Sequence, residues 1–136
     1  MKKYKAISSL ILVLFIGVTP LYGQQTAVDS LTGLLSSSLS EPQKAELLVQ
    51  LTRANRYVDI NAAVKTGYEA HEIAQALGDE DLEVQATREL STSRIGKGEW
   101  DDALSLLDRG LALARKNEDQ QTTADLLAIA AYIQRR

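Results

Sequence analysis

The residues with the clearest chemical potential are one histidine and a group of serines near the start of the chain. His71 is the sole histidine and lies in "YEAHEIA", which lacks the second histidine of a zinc-protease helix. We expect a packed or partly exposed side chain there, not a metal ligand. The serines, Ser30 and Ser36 to Ser38 among them, have no base at a predictable distance. No catalytic residue is therefore predicted.

The acidic run from Asp79 to Glu83 is the one sequence that suggests a metal, namely calcium. It lacks the alternating ligand spacing and the glycine of a calcium loop. Acids at the start of a helix explain it better, since they lie at the positive end of the helix dipole. The chain has no cysteine, which excludes disulfides, thiolate metal sites and lipid attachment through cysteine. No glycine-rich phosphate loop follows a strand. We predict no enzyme activity, no metal and no cofactor.

The elements that position these residues are predicted to be helices throughout. The composition is 45% hydrophobic but only 5% aromatic, and alanine and leucine dominate. Ser40 with Gln43 forms a capping-box pattern, and Asp79 can cap a later helix. Gly78 is typical of a helix end, and we expect Gly96 and Gly98 to stop the next helix. A helix from about Ile60 to Leu77 is expected to turn Tyr68, His71 and Leu77 inward, among others.

Residues 1–23 have the layout of a secretory signal peptide, with a basic start, a 13-residue apolar stretch and a short polar end. Cleavage is expected between Gly23 and Gln24, which predicts a periplasmic or extracellular protein. The alternative is an uncleaved anchor, although so short a stretch spans a bilayer of about 30 Å poorly. A lead-in helix and linker are predicted over 24–40 and a helical domain over 41–136.

Removal of that segment makes the chain more acidic. It takes away three lysines and no acid, so basic residues fall from 15 to 12 against 18 acids, a net charge of −6. An acidic exported chain has no electrostatic reason to bind nucleic acid or an anionic membrane surface. We therefore predict neither nucleic-acid binding nor stable membrane insertion after cleavage.

An internal repeat is the strongest pattern in the chain. The stretch that begins "NAAVKTGYEAHEIAQAL" aligns at an offset of 40 with "DDALSLLDRGLALARKN", which places Ala63 on Ala103. The preceding helices align at steps of 39, from Leu51 to Leu90 to Ile129. A helix–turn–helix period of this length indicates a solenoid.

These residues resemble the tetratricopeptide repeat, over about residues 41–134. The positions that carry the resemblance are Leu51, Ala63, Ala70, Leu90, Gly98, Trp100, Ala103, Leu107 and Gly110. The resemblance implies an all-α, short right-handed α-solenoid of antiparallel helical hairpins with about two and a half units, at 41–79, 80–118 and a partial 119–136.

Two residues depart from the family pattern, while the same pattern accounts for the position of Trp100. Arg94 stands where the family prefers tyrosine, and Gly67 where it prefers a bulky aromatic. We expect Gly67 to leave the first unit loosely packed. Gly98 is expected to allow the bend between two helices, and Trp100 to pack over that bend.

The resemblance also implies a concave ligand surface, lined by the first helix of each unit. The corresponding positions are Glu46, Val49, Arg53, Arg56, Gln85, Arg88, Thr92 and Ile95. The three arginines suggest a groove for an acidic or carboxylate-ending segment, because guanidinium binds carboxylates bidentately. The alternative is that these arginines pair with Glu46, Glu89 or other nearby acids.

The last helix lacks the neighbour that a solenoid unit needs to bury its core. Its apolar residues lie on several faces, so a partner or a second copy could cover some of them. We expect a non-catalytic, exported protein–protein interaction scaffold. The alternative is a sensory-input fragment of a bacterial membrane signalling protein, such as a histidine kinase or transcription regulator, without its output domain.

Overall fold

The structure, a computed structural model, describes residues 22–136, and that part of the chain is all-helical. The predicted signal peptide therefore lies outside the described residues except for Tyr22 and Gly23. The helices are α1 (residues 22–34), α2 (Glu41–Asn55), α3 (Ile60–Leu77), α4 (Glu80–Lys97), α5 (Trp100–Lys116) and α6 (Gln120–Gln134).

The helix starts follow from local capping chemistry. The Ser40 backbone N–H donates to Gln43 Oε1 at 3.0 Å, and the Ser40 hydroxyl accepts from the Gln43 backbone N–H, which confirms the predicted capping box. Asp79 caps α4, also as predicted, by accepting from the Leu82 backbone N–H at 3.0 Å. Asp119 starts α6 in the same way.

Glycines end two of the helices, as the sequence predicts. Gly78 and Gly98 have φ values of 66° and 85°, in the left-handed region that a side chain with a β-carbon adopts only at a cost. The prediction that Gly96 also stops α4 is wrong, because the helix continues through it to Lys97.

Successive helices run antiparallel, as the ion pairs between α4 and α5 show. Glu80 near the start of α4 meets Lys116 at the end of α5, while Arg94 near the end of α4 meets Asp102 at the start of α5. From α2 to α6, each helix packs mainly against its neighbours in the chain, a pattern consistent with a helical repeat. The even-numbered helices α2, α4 and α6 consequently share one direction and lie side by side.

The 40-residue period appears in burial as well as in sequence. The buried positions of α3 are Ala63, Gly67, Ala70, His71 and Ala74, and those of α5 are Ala103, Leu107, Gly110, Leu111 and Ala114. Every member of the first set is followed by a member of the second 40 residues later.

The turns that follow these two helices keep the same period. The Asp79 backbone N–H donates to the Ala74 carbonyl, and the Asp119 backbone N–H donates to the Ala114 carbonyl. This register carries through the turn into α6, so Leu90 corresponds to Ala130. The predicted correspondence of Leu90 with Ile129 is wrong by one residue.

The buried face of α3 is narrower than the sequence suggests. Tyr68 and Leu77, both predicted to point inward, are 47% and 43% exposed. The face that packs consists of small residues and His71, so the larger side chains lie at its flanks. The core itself divides into one cluster around Leu48 and Leu82 and a second around Leu107 and Leu126.

Gly67 tightens the first helical pair and does not loosen it. A β-carbon placed there would lie 3.0 Å from Thr52 Cγ2 and 3.2 Å from Leu90 Cβ. The expectation of a loose first unit is therefore wrong, because the glycine lets α3 approach both α2 and α4 closely.

Trp100 packs beyond the bend that it was expected to cover. Its ring lies 6.1 Å from the ring of Tyr132, and the Arg136 guanidinium lies 5.0 Å from the Trp100 ring centre. The tryptophan therefore joins the start of α5 to the end of α6, in addition to lying beside Gly98.

Candidate functional site

A groove crosses the side of the molecule on which α2, α4 and α6 lie next to one another. We call it the arginine groove; its volume is about 540 Å³ and its lining is Arg53, Arg56, Arg88, Glu89, Thr92, Asp125, Ala128 and Ile129. Arg53 and Arg88 also border a second hollow of about 440 Å³, which extends past Gln85 to the turn between α5 and α6. Both hollows are bounded by the exposed sides of the parallel helices.

Five of the eight predicted ligand-contacting residues come together here: Arg53, Arg56, Gln85, Arg88 and Thr92. They do so because residues three or four apart on α2 and on α4 share one helix face. The Thr92 hydroxyl donates to the Arg88 carbonyl at 2.8 Å, so it is partly engaged by its own helix.

The other three predicted residues border neither the arginine groove nor the second hollow. Val49 is only 5% exposed and packs in the core cluster with Leu82 and Ala86, so the prediction that it contacts a ligand is wrong. The reason is that α4 covers the side of α2 on which Val49 lies. Glu46 is exposed and Ile95 half-buried, and neither borders the two hollows.

Glu89 also lines the arginine groove, although the sequence analysis named it only as a possible partner of the arginines. Its side chain is 4% exposed, and Oε1 accepts from Arg53 Nε and Nη2 at 3.1 and 2.8 Å. Oε2 accepts from Arg56 Nη2 at 2.7 Å. A buried carboxylate between two guanidinium groups thus joins α4 to α2, and charge-assisted bonds of this kind are the strong ones.

Arg88 is held less firmly than the other two arginines. Its Nη2 lies 3.3 Å from Asp125 Oδ2, and the two side chains are 46% and 31% exposed. Exposed ion pairs of this type contribute about 0–1 kcal/mol. The pair therefore joins α4 to α6 without committing the Arg88 guanidinium to one partner.

The charges that line the arginine groove leave a local excess of one positive charge. Arg53, Arg56 and Arg88 face two carboxylates, those of Glu89 and Asp125. The interpretation in which Glu89 pairs with the arginines is confirmed for Arg53 and Arg56. The arginine groove thus carries one more cation than anion, whereas the second hollow beside it also carries Asp81 and Asp119.

A second polar cluster lies on a different face of α4 and joins three successive helices. Arg109 of α5 donates to both carboxylate oxygens of Glu83, and Gln75 of α3 donates to Oε1 at 3.0 Å. His71 Nε2 lies 3.7 Å from the same oxygen. His71 and Glu83 are buried at the contact of the helices, whereas the Arg109 side chain is 58% exposed, so we interpret the cluster as a structural link between α3, α4 and α5.

The pKa values of this cluster follow from the surroundings of each group. Burial lowers the pKa of His71, and the nearby Glu83 carboxylate opposes that shift only in part. Hydrogen bonding from Arg109 lowers the pKa of Glu83, against the effect of burial. The stable state at neutral pH is therefore a neutral imidazole beside an ionised carboxylate.

Within residues 22–136, no group of three or more histidine, cysteine or acidic side chains is arranged to hold a metal ion. Over the same residues, none of the helices has both the length and the apolar composition needed to cross a bilayer.

No protein-family model, no curated protein and no solved structure matches this chain. The functional argument therefore depends on the residues of the groove and their geometry.

Proposed function

We propose that this protein is a non-catalytic, exported interaction scaffold, a short right-handed α-solenoid of tetratricopeptide-like repeats. Its ligand would be an acidic segment of a protein or peptide, bound in the arginine groove. The observation that carries the proposal is that Arg53 and Arg88, which lie on adjacent parallel helices and are both more than 40% exposed, line the same groove.

The recognition chemistry follows from the unequal engagement of the arginines. Arg56 is fixed against the buried Glu89 and forms part of the groove floor. Arg53 donates to Glu89 from the Nε and Nη2 edge of its guanidinium, and its side chain is 61% exposed, which leaves Nη1 for a ligand. Arg88 can exchange the weak pair with Asp125 for a ligand carboxylate at little cost. Ala128 and Ile129 supply an apolar wall beside them.

The proposal can be tested with labelled peptides whose acidic residues are replaced one set at a time. Fluorescein-labelled peptides of about ten residues, rich in Asp and Glu, are compared by anisotropy with matched Asn and Gln peptides. We expect the acidic set to bind more tightly by about tenfold, the difference that one charge-assisted hydrogen bond produces. The affinity should fall as salt rises.

Substitution of one groove arginine then locates the binding. Arg88→Gln should weaken the acidic peptides by about tenfold, because it removes the exchangeable guanidinium and leaves only the solvent-accessible Asp125 behind. Lys65→Gln is the control that also removes one exposed cation, since Lys65 is exposed on α3 and borders neither the arginine groove nor the second hollow. Equal losses in the two variants, or equal binding of acidic and amide peptides, would reject this function.

A further inference from the structure

Helix α6 is covered on one side only. Leu126 is its one fully buried residue, and Ile129, Ala130 and Ile133 are half-buried against α5. Leu127, by contrast, is 43% exposed. The side of α6 that carries Ala124 and Leu127 is therefore open.

The 40-residue register shows what this open side corresponds to. On α4, Glu83, Val84 and Thr87 are buried where α5 packs, with Thr87 Cγ2 at the closest approach to Gly110. Forty residues later stand Thr123, Ala124 and Leu127, which are partly or fully exposed. This surface of α4 is therefore covered by α5, whereas the corresponding surface of α6 is open.

These residues line a groove of about 500 Å³. Its members are Arg115, Glu118, Asp119, Gln120, Thr123, Ala124 and Leu127. The end of the groove at the start of α6 carries two carboxylates and one guanidinium. A helix that lies here antiparallel to α6, with cations at its C-terminal end, would complement that charge.

We propose that a second copy of this chain covers the groove, with α6 packed antiparallel on α6. A two-fold rotation axis that passes near Leu127 places that residue against the partner's Leu127, and Ala124 near the partner's Ala131. The same axis brings Glu118 and Asp119 toward the partner's Arg135. Small alanine side chains allow close contact of the two helices, and the charge match fixes their antiparallel direction.

The contact is isologous, so each charge interaction occurs twice and the assembly closes at two copies. One 15-residue helix per copy makes a small interface, and small interfaces give weak complexes. We expect a dissociation constant on the order of 10 µM, with dimer predominating on the order of 100 µM. The residues that α6 contributes to the arginine groove, Asp125, Ala128 and Ile129, are not among those placed in this contact.

Sedimentation equilibrium of the full chain over this concentration range tests the proposal. Leu127→Asp should weaken association by at least tenfold, because it places a charge at the centre of the apolar contact. Leu77→Asp is the matched control and should leave association unchanged, since Leu77 is also 43% exposed but lies at the end of α3. Circular dichroism checks that both variants keep the helical content of the parent.

Charge reversal distinguishes this interface from association through any other segment. Glu118→Arg and Arg135→Glu should each weaken the dimer severalfold, since each places like charges opposite one another twice. The double variant restores opposite charges and should recover most of the affinity. A monomer at every concentration would overturn the proposal, and so would a dimer that is indifferent to Leu127→Asp and to the charge reversals.

Discussion

Glu118 occupies the position that Gly78 holds one repeat earlier, and both residues have left-handed backbone geometry. Their φ values are 56° and 66°, and each backbone N–H donates to the carbonyl three residues before it. The turn between α5 and α6 therefore copies the turn between α3 and α4, with a side chain where glycine fits without strain.

Glu118→Gly should stabilise the fold by about 0.5–1 kcal/mol. Relief of the strained backbone exceeds the extra conformational entropy that glycine loses on folding. Urea denaturation at low micromolar concentration, where the copies are separate, measures the difference. Glu118→Ala, which removes the same carboxylate but keeps a β-carbon, should give no comparable gain. Equal stabilisation in the two variants would mean that the charge, not the backbone, is responsible.

Gly110→Ala should destabilise the fold by about 1–3 kcal/mol, because the new methyl group would lie 2.7 Å from Thr87 Cγ2. Thr87 is fully buried and β-branched, so its side chain cannot turn aside easily. Thermal or urea unfolding measures the loss.

The matched rescue is Thr87→Ser in the Gly110→Ala background. The serine removes the obstructing methyl group and keeps the hydroxyl, so most of the lost stability should return. If the second substitution deepens the loss instead, the close approach of α4 and α5 at this point is not what Gly110 provides.

Glu89→Gln should cost about 3 kcal/mol of unfolding free energy. The change leaves Arg56, whose side chain is only 20% exposed, without its carboxylate. Asp125→Asn removes the other groove carboxylate from a pair that is far more exposed, and it should cost less than about 1 kcal/mol. Denaturant titration of both variants at neutral pH compares them, and two small losses of equal size would contradict the buried role of Glu89.

Acid should weaken the fold in two stages, the first of which depends on His71. Burial lowers the pKa of His71 in the folded protein, so the unfolded chain takes up the proton first as the pH falls below about 6.5. Stability then decreases by at most about 1.4 kcal/mol per pH unit. The lowered pKa of Glu83 contributes stability above its unfolded value of 4.5, and that contribution is lost as the pH falls through the folded pKa.

His71→Gln should abolish the first stage and keep the second, because glutamine does not titrate. Unfolding midpoints between about pH 7.5 and pH 4 separate the two stages. A His71→Gln variant that loses stability between pH 7.5 and pH 5.5 as steeply as the parent would show that another group titrates there.

The helices could be read from the sequence because their ends depend on local chemistry. Ser40 with Gln43, Asp79, Gly78 and Gly98 each act within one turn of their own position. The 40-residue period was visible for the same reason, since the small residues of α3 and α5 recur along the chain.

The partners of the arginines could not be fixed from the sequence, because they depend on how far one helix is shifted along another. Glu89 lies 36 residues from Arg53 and 33 from Arg56, and only the packing of α4 on α2 brings them together. The burial of Val49 has the same cause. Its helical spacing with Arg53 and Arg56 suggested a shared face, but α4 covers one edge of that face and not the other.

Titration of the isotope-labelled chain with an acidic peptide, followed by amide chemical shifts, tests the central claim most directly. The account predicts that shift changes concentrate around Arg53, Arg88, Thr92 and Ala128, which border the arginine groove. They should be small around Asp108 and Ala112, which are exposed on α5. Shift changes spread over α5, or none at peptide concentrations on the order of 1 mM, would contradict ligand binding in this groove.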